Sequence, residues 1–266
     1  MYNPKISIVT VVYNDYEYIE STIKSTINQN YSNYEYIIID GKSNDGTVDV
    51  VKRYESHIDY WISEKDDGIY DAMNKGIDAA TGDWIIFMNC GDNFFSNNVL
   101  SDIFSIPINP EVKLLYGGCS VRSYWGDFTI KARPEGEIWK SFTHQSIFSR
   151  VKLNREYKFN LDYKAASDFD FVYTVFSKGY ATKRLNIIVS DIQYVATGFS
   201  SVNEVLSLNE VVKSIILNRS NSCWSIRHLI YHVIALQRKY VSILIRMVSP
   251  SLINAIRKLR DVRKYD

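Results

Sequence analysis

The chain has 266 residues, 46% hydrophobic and 23% charged, enough to bury a sizeable core, and its formal net charge of +1 excludes a nucleic-acid binder that works by overall charge. Its three cysteines, Cys90, Cys119 and Cys223, are far apart and lack CxxC spacing, which argues against a disulfide framework or a zinc site and favours a reducing compartment. The charge is uneven: from Lys213 to Asp266 eleven Lys and Arg face two acids, so this stretch carries +9 and the preceding 212 residues carry −8.

In chain order, the β-branched run KISIVTVVY over residues 5–13 predicts a strand covered on both faces. Asn14-Asp15 reads as a turn and helix cap, and Tyr18, Ile19, Ile23 and Ile27 recur at helical spacing to about Asn30. Residues 36–40, YIIID, predict a second buried strand, followed by the polar loop Gly41 to Thr47 and a helix carrying Val48, Val51 and Tyr54. A third strand is expected over 58–63, a helix over 69–80 and a fourth strand over 84–88. This β-α-β-α-β-α-β order with short connections is that of a parallel α/β sheet. Every strand ends in polar residues: Asn14, Asp40, Glu64 to Asp67, and Asn89 to Asp92. Ligands of open parallel sheets gather at the carboxyl ends of strands, so this convergence marks a candidate site, with Asp92 as its anchor.

Beyond Asn98 the pattern is less regular. Strands are expected over 112–116, 121–131 and 183–195 and a helix over 165–178, with His144-Gln145 leading into an apolar run. From Ser201 the pattern is helical, broken at Ser220-Asn221-Ser222 and Ser249-Pro250-Ser251, so residues 1–200 are expected to form the catalytic domain and 201–266 a basic helical extension. In the segment around the third helix, Asp67, Tyr70, Asp71 and Asn74 follow the i, i+3, i+4 rule and are expected to line one wall, with Gly68 and the helix start pointing N–H groups at a phosphate.

Taken in order, SIVTVVYN, DGKSNDGT, SEKDDGIYDAMNKGI and FMNCGD resemble the motifs of the inverting glycosyltransferases of family 2 over roughly residues 5 to 195. GIYDAMNKGI is similar in wording to bacterial enzymes that assemble O-antigen, capsule and other surface polysaccharides. The resemblance implies the GT-A fold, a Rossmann-like, mostly parallel α/β sheet flanked by helices, here with a helical C-terminal extension. It also implies a nucleotide-sugar donor, a UDP-sugar being the first expectation, and a lipid-linked saccharide acceptor.

The resemblance further implies a divalent cation, Mn²⁺ or Mg²⁺, that neutralises the departing diphosphate, with Asp92 as its ligand. Relatives show two or three acids at this point, whereas this chain has Asn89, Gly91 and Asp92. Tyr13 matches a ring that stacks on the nucleobase, and Asp40 matches acids that recognise base and ribose, although Gly41 stands where a second aspartate is common. His144 is expected to ligate the cation or donate to a phosphate oxygen. For the base that takes the acceptor proton there are two candidates, Asp168 and Asp170, which diverge by about 200° on a helix; the family pattern maps the role onto Asp168.

His228 and His232 have the i, i+4 spacing of a zinc pair, but HLIYH lacks the glutamate of HExxH, and they read as helix packing. The apolar and basic tail suits helices lying on an anionic membrane surface, the alternative being a helical hairpin packed on the catalytic domain or a second subunit. No signal peptide is recognisable, and no apolar run reaches the roughly 18 to 20 residues that span a bilayer, so the expected location is cytoplasmic and peripheral. Two other functions are open to such a chain. A non-catalytic binding protein is suggested by the thinned acidic motif, while a sugar nucleotidyltransferase is opposed by VVYNDYEYIE, which has neither Gly nor Arg.

Overall fold

The computed structural model describes residues 3–105, 107–123, 126–138, 142–193, 203–218, 229–234, 236–238 and 240. Strand β1 (Ile6–Val12), helix α1 (Tyr16–Ile27), β2 (Tyr34–Asp40), α2 (Thr47–Arg53), β3 (Tyr60–Ser63), α3 (Ile69–Ala79) and β4 (Trp84–Phe87) follow in the expected order. The strands β3, β2, β1 and β4 lie side by side and parallel. Their side chains alternate between two cores. Ile6, Ile8, Tyr36 and Ile38 pack with α1, α2 and α4 (Val99–Phe104), and Val9, Val11, Ile37 and Ile39 pack with α3, α5 (Val151–Glu156) and α6 (Ser167–Ser177). Burial on both faces is why these strands read as unbroken apolar runs.

The remaining strands form a mixed extension: β5 (Asp92–Phe94), β6 (Val112–Arg122), β7 (Phe128–Ile130), β8 (Ile147–Arg150) and β9 (Ala181–Gln193). Strand β8 pairs antiparallel with β4 and β6, β6 runs parallel to β9, and β5 closes the edge against β9. The separate strands expected over 112–116 and 121–131 are divided differently. Strand β6 runs on through Gly117-Gly118, and the chain then folds back as β7. A Cβ on Gly117 would stand 2.5 Å from the Val189 side chain of β9, so glycine allows that neighbour to close in.

Helix α7 (Glu204–Leu217) packs on α6, and Asn209 of α7 meets Tyr240 at 3.4 Å (Nδ2 to hydroxyl). His232 is buried against the Phe169 ring, while His228 lies outside the described residues. No described helix is long and apolar enough to cross a membrane.

At the amino ends of the parallel strands, Glu35 is buried among donors: the Lys5 ammonium at 2.6 Å, the Ser7 and Thr81 hydroxyls, and the Thr81 and Gly82 backbone N–H groups. Burial alone would raise its pKa, but these contacts outweigh it and pull the carboxyl from 4.5 down to about 2. A depressed folded pKa gives stability that is complete above the unfolded value and is lost as pH falls toward the folded one. Glu35→Gln is therefore expected to lower the unfolding free energy at pH 7 by about 3 kcal/mol, at roughly 1.4 kcal/mol per pKa unit. In urea denaturation the gap to wild type should shrink between pH 4.5 and 2; a gap independent of pH would rule this account out.

Candidate active site

Side chains and backbone tie the four strand ends to one another. Asn14, in left-handed backbone at φ 48°, donates its N–H to the Ser43 hydroxyl at 2.7 Å and accepts the Asn44 N–H at 2.9 Å, joining the β1 and β2 loops. Asp40 is fully buried. Its Oδ2 accepts the Ser43 N–H at 3.0 Å and the Ser63 hydroxyl at 2.6 Å, fastening the β2 loop to β3, while its buried Oδ1 has no hydrogen-bond partner among the described residues.

The acid that does stand beside Tyr13 is Asp66. A Cβ added to Gly41 would collide with the Asp66 carboxylate and lie 3.3 Å from the Tyr13 ring, which is 64% exposed. The space left by the missing second aspartate is thus filled by a carboxylate from the β3 loop. In the sequence Asp67 fits the helical spacing better than Asp66. Asp67 is exposed, and its N–H is taken by Asp71 at 3.1 Å, as the Gly68 N–H is by Asp66 at 3.1 Å. These self-made caps use N–H groups expected to meet a phosphate. Lys75 holds the loop shut through Glu64 at 2.8 Å and the Lys65 carbonyl at 2.9 Å.

The expected wall of Asp67, Tyr70, Asp71 and Asn74 does not form. Tyr70 and Asn74 face the second half of the chain, where the Asn74 amide exchanges two hydrogen bonds with the Phe159 backbone, at 2.8 and 2.9 Å. Both polar atoms of Asn74 are thereby used in tying α3 to the Phe159 backbone.

At the end of β4, Gly91 adopts φ 90° and its N–H donates to the Thr22 hydroxyl at 3.0 Å, while Thr22 donates to the Asp92 carbonyl at 2.9 Å. This fixes the Asp92 carboxylate, whose Oδ2 accepts Gln145 Nε2 at 2.8 Å. Burial pushes Asp92 up to about 6, against the opposing pull of His144 and Gln145. A carboxylate raised by burial is short of positive charge, and a divalent cation would supply it, so Asp92 fits as a single protein anchor for Mn²⁺ or Mg²⁺. Among the described residues no three His, Cys, Asp or Glu cluster to hold an ion. His144, the other expected cation ligand, has a neighbour at each ring nitrogen. Nε2 meets Asn89 Nδ2 at 3.1 Å, and Nδ1 lies 3.5 Å from Asp168 Oδ2.

Asp168 also accepts the Tyr70 hydroxyl at 3.1 Å on Oδ1. Burial works to raise its pKa, but the hydrogen bond and charge of His144, with Tyr70 and a backbone N–H, hold it below the ordinary carboxylate value. His144 is raised: burial alone would lower it, and Asp168 and Asp92 outweigh that. The other candidate base is occupied elsewhere, because Asp170 accepts the Ser214 hydroxyl at 2.6 Å and the Asn218 amide at 3.0 Å on the α7 side. Glu210 of α7 caps the approach to α6, accepting the backbone N–H groups of Lys164, Ala165 and Ala166 at 2.8 to 3.0 Å.

A mostly parallel sheet flanked by helices, with Tyr13, Asp92 and Asp168 gathered at its carboxyl edge, is the arrangement of the GT-A fold. Residues 7–181 match glycosyl transferase family 2, and the chain belongs to that family. It is similar to the PGL/p-HBAD biosynthesis glycosyltransferase of Mycobacterium bovis (strain BCG / Pasteur 1173P2), 28% identical over 198 residues, 70% of this chain and 76% of that protein. It is also similar to TuaG of Bacillus subtilis (strain 168), a glycosyltransferase assigned to teichuronic acid biosynthesis, at 34% over 98 residues, 35% and 38% of the two chains. Among solved structures, the Pyrobaculum calidifontis mannosyltransferase PcManGT with GDP-Man and Mn²⁺ shares the fold at TM-score 0.70 and 16% identity, covering 99% of this chain and 81% of that one. S. aureus TarS in complex with UDP does so at TM-score 0.65 and 15% identity, covering 85% and 69%. The protein is accordingly a glycosyltransferase of glycan biosynthesis.

Asn74→Ala separates the two assignments of that residue. It should cost about 2 kcal/mol in denaturation, the penalty for leaving buried backbone groups unpaired, and leave nucleotide affinity measured by calorimetry unchanged. A large loss of nucleotide affinity without loss of stability would return Asn74 to the donor site.

Proposed function

We propose that the protein is an inverting glycosyltransferase that moves one sugar from a nucleotide-sugar, a UDP-sugar first, onto a lipid-linked glycan in the assembly of a bacterial surface polysaccharide. The observation that carries this reading is the separation of two carboxylates by environment. Asp168, held ionised by donors, suits a proton acceptor, and Asp92, raised by burial, suits a cation anchor.

On this reading the Tyr13 ring stacks on the nucleobase, and Asp66, at the gap above Gly41, accepts a hydrogen bond from its edge. Asp92 holds the divalent cation, which when bound offsets negative charge on the diphosphate. Gln145 keeps the Asp92 carboxylate in one orientation. Asp168 takes the proton of the acceptor hydroxyl as its oxygen attacks the anomeric carbon from the face opposite the diphosphate. On this reading one base acts in one displacement, which gives inversion. The acceptor's lipid would be met at the cytoplasmic membrane face through exposed Ile216, Leu217, Ile230 and Ile234 together with the basic tail beyond residue 240.

A panel of nucleotide-sugars, assayed for nucleoside diphosphate release with Mn²⁺, Mg²⁺ or chelator, tests the proposal. One donor should be hydrolysed slowly in a metal-dependent way, and Asp92→Ala should abolish this. Asp168→Asn should keep donor affinity in calorimetry while lowering turnover by about 10²- to 10⁴-fold. Absence of binding to any nucleotide would refute the transferase reading.

A further inference from the structure

We propose that His144 is the positioning residue of the base, carrying its proton on Nδ1 and donating it to Asp168 while Asn89 holds the other ring nitrogen. The inference rests on the assignment of Asp168 above and concerns how that carboxylate is aimed. An ionised carboxylate only accepts, so the contact of Nδ1 with Oδ2 at 3.5 Å is favourable when Nδ1 bears hydrogen. The Asn89 amide nitrogen, 3.1 Å from Nε2, can donate to that nitrogen when it carries none. Nδ1 to Asp168 is at the long end for such a bond, as is common in sites that tighten around substrate.

The ring has little freedom to do otherwise. It sits on a 3₁₀ turn (His144–Ser146) anchored by Ser146, whose buried hydroxyl meets the Gly118 carbonyl at 3.0 Å and Ser190 Oγ at 2.7 Å. Behind it, His144 and Asp168 share a small cavity with Phe87, Ile147, Phe159 and Phe171 and with the polar Ser149 and Asn154, the Asn154 amide donating to Ser149 Oγ and to the Arg150 carbonyl. Tyr70 fixes Oδ1 from α3, so Asp168 is clamped by donors from two elements, and a chain Asn89–His144–Asp168–Tyr70 runs from the β4 end to α3.

In the transfer, the acceptor oxygen forms a bond to the anomeric carbon as the bond from that carbon to the diphosphate oxygen breaks. The electron pair of the broken bond leaves with the diphosphate. The acceptor's proton passes to Asp168, and His144 keeps its own proton throughout. This role excludes cation ligation by Nε2, whose lone pair is already used.

The first test needs no substrate. The chain has four histidines, so imidazole ¹⁵N spectra of wild type and His144→Asn identify His144, and its ring should be protonated at Nδ1. A neutral ring protonated at Nε2 would overturn the proposal. The second test compares two substitutions in the donor-hydrolysis assay, with water as acceptor. Asn places an amide nitrogen near the Nδ1 position, and Gln places one near Nε2. His144→Gln should lower kcat on the order of 10- to 100-fold with donor KM and Mn²⁺ requirement unchanged, and His144→Asn should recover most of it. Equal losses in both variants, or a raised Mn²⁺ requirement, would overturn it. Asp168→Asn separates the two levels: full activity there would sink the base assignment, whereas an inactive Asp168→Asn beside a fully active His144→Gln would sink only the positioning role.

Discussion

The antiparallel contact of β8 with β4 is the constraint on which the site depends. Only two residue pairs carry it, Trp84 with Arg150 and Ile85 with Ser149, reinforced by the Arg150 guanidinium lying 4.0 Å over the Trp84 ring. Because the strands run in opposite directions, the chain enters β8 where β4 leaves the sheet. His144 and Gln145 are thereby set against Asn89 and Asp92, joining the first half of the chain to the second at the candidate site. A parallel β8 would deliver these residues to the opposite edge.

The buried carboxylates divide by how completely they are paired. Glu35 at the amino edge is enclosed by donors on both oxygens, and Asp40 at the carboxyl edge accepts from Ser43 and Ser63 on Oδ2; both hold strands and loops in register. Glu210 does the same for the turn before α6. Asp92 is different, with Gln145 as its named side-chain donor and a pKa raised by burial. An acid left in that condition at the end of a central strand is stable only with a positive partner nearby, which is the condition a metal-diphosphate complex meets.

The first ninety residues were legible because two local signals agree there. Apolar runs of strand length alternate with helical spacing, and polar residues fall at the strand ends, which fixed the parallel sheet and the location of the site. The roles of individual residues were less legible because they depend on distant partners. Asn74 fits a donor-facing wall by spacing, yet its partner is Phe159, 85 positions away. Asp66 could not be chosen over Asp67 until Gly41 was seen beneath it. His144 suggested metal binding by its residue type, while its contacts with Asn89 and Asp168 follow from the β4–β8 pairing, for which short strands give little pattern. Strand β6 runs through Gly117-Gly118, where separate strands over 112–116 and 121–131 are expected, because β9 packs closely against Gly117.

The central claim, that one base drives one displacement at the anomeric carbon, is tested most directly by the configuration of the sugar first released. With an α-linked nucleotide-sugar and water as acceptor, proton NMR recorded before mutarotation should show the β anomer appearing first. Release of the α anomer first would contradict the account, because retention requires a second displacement for which the base assignment leaves no role.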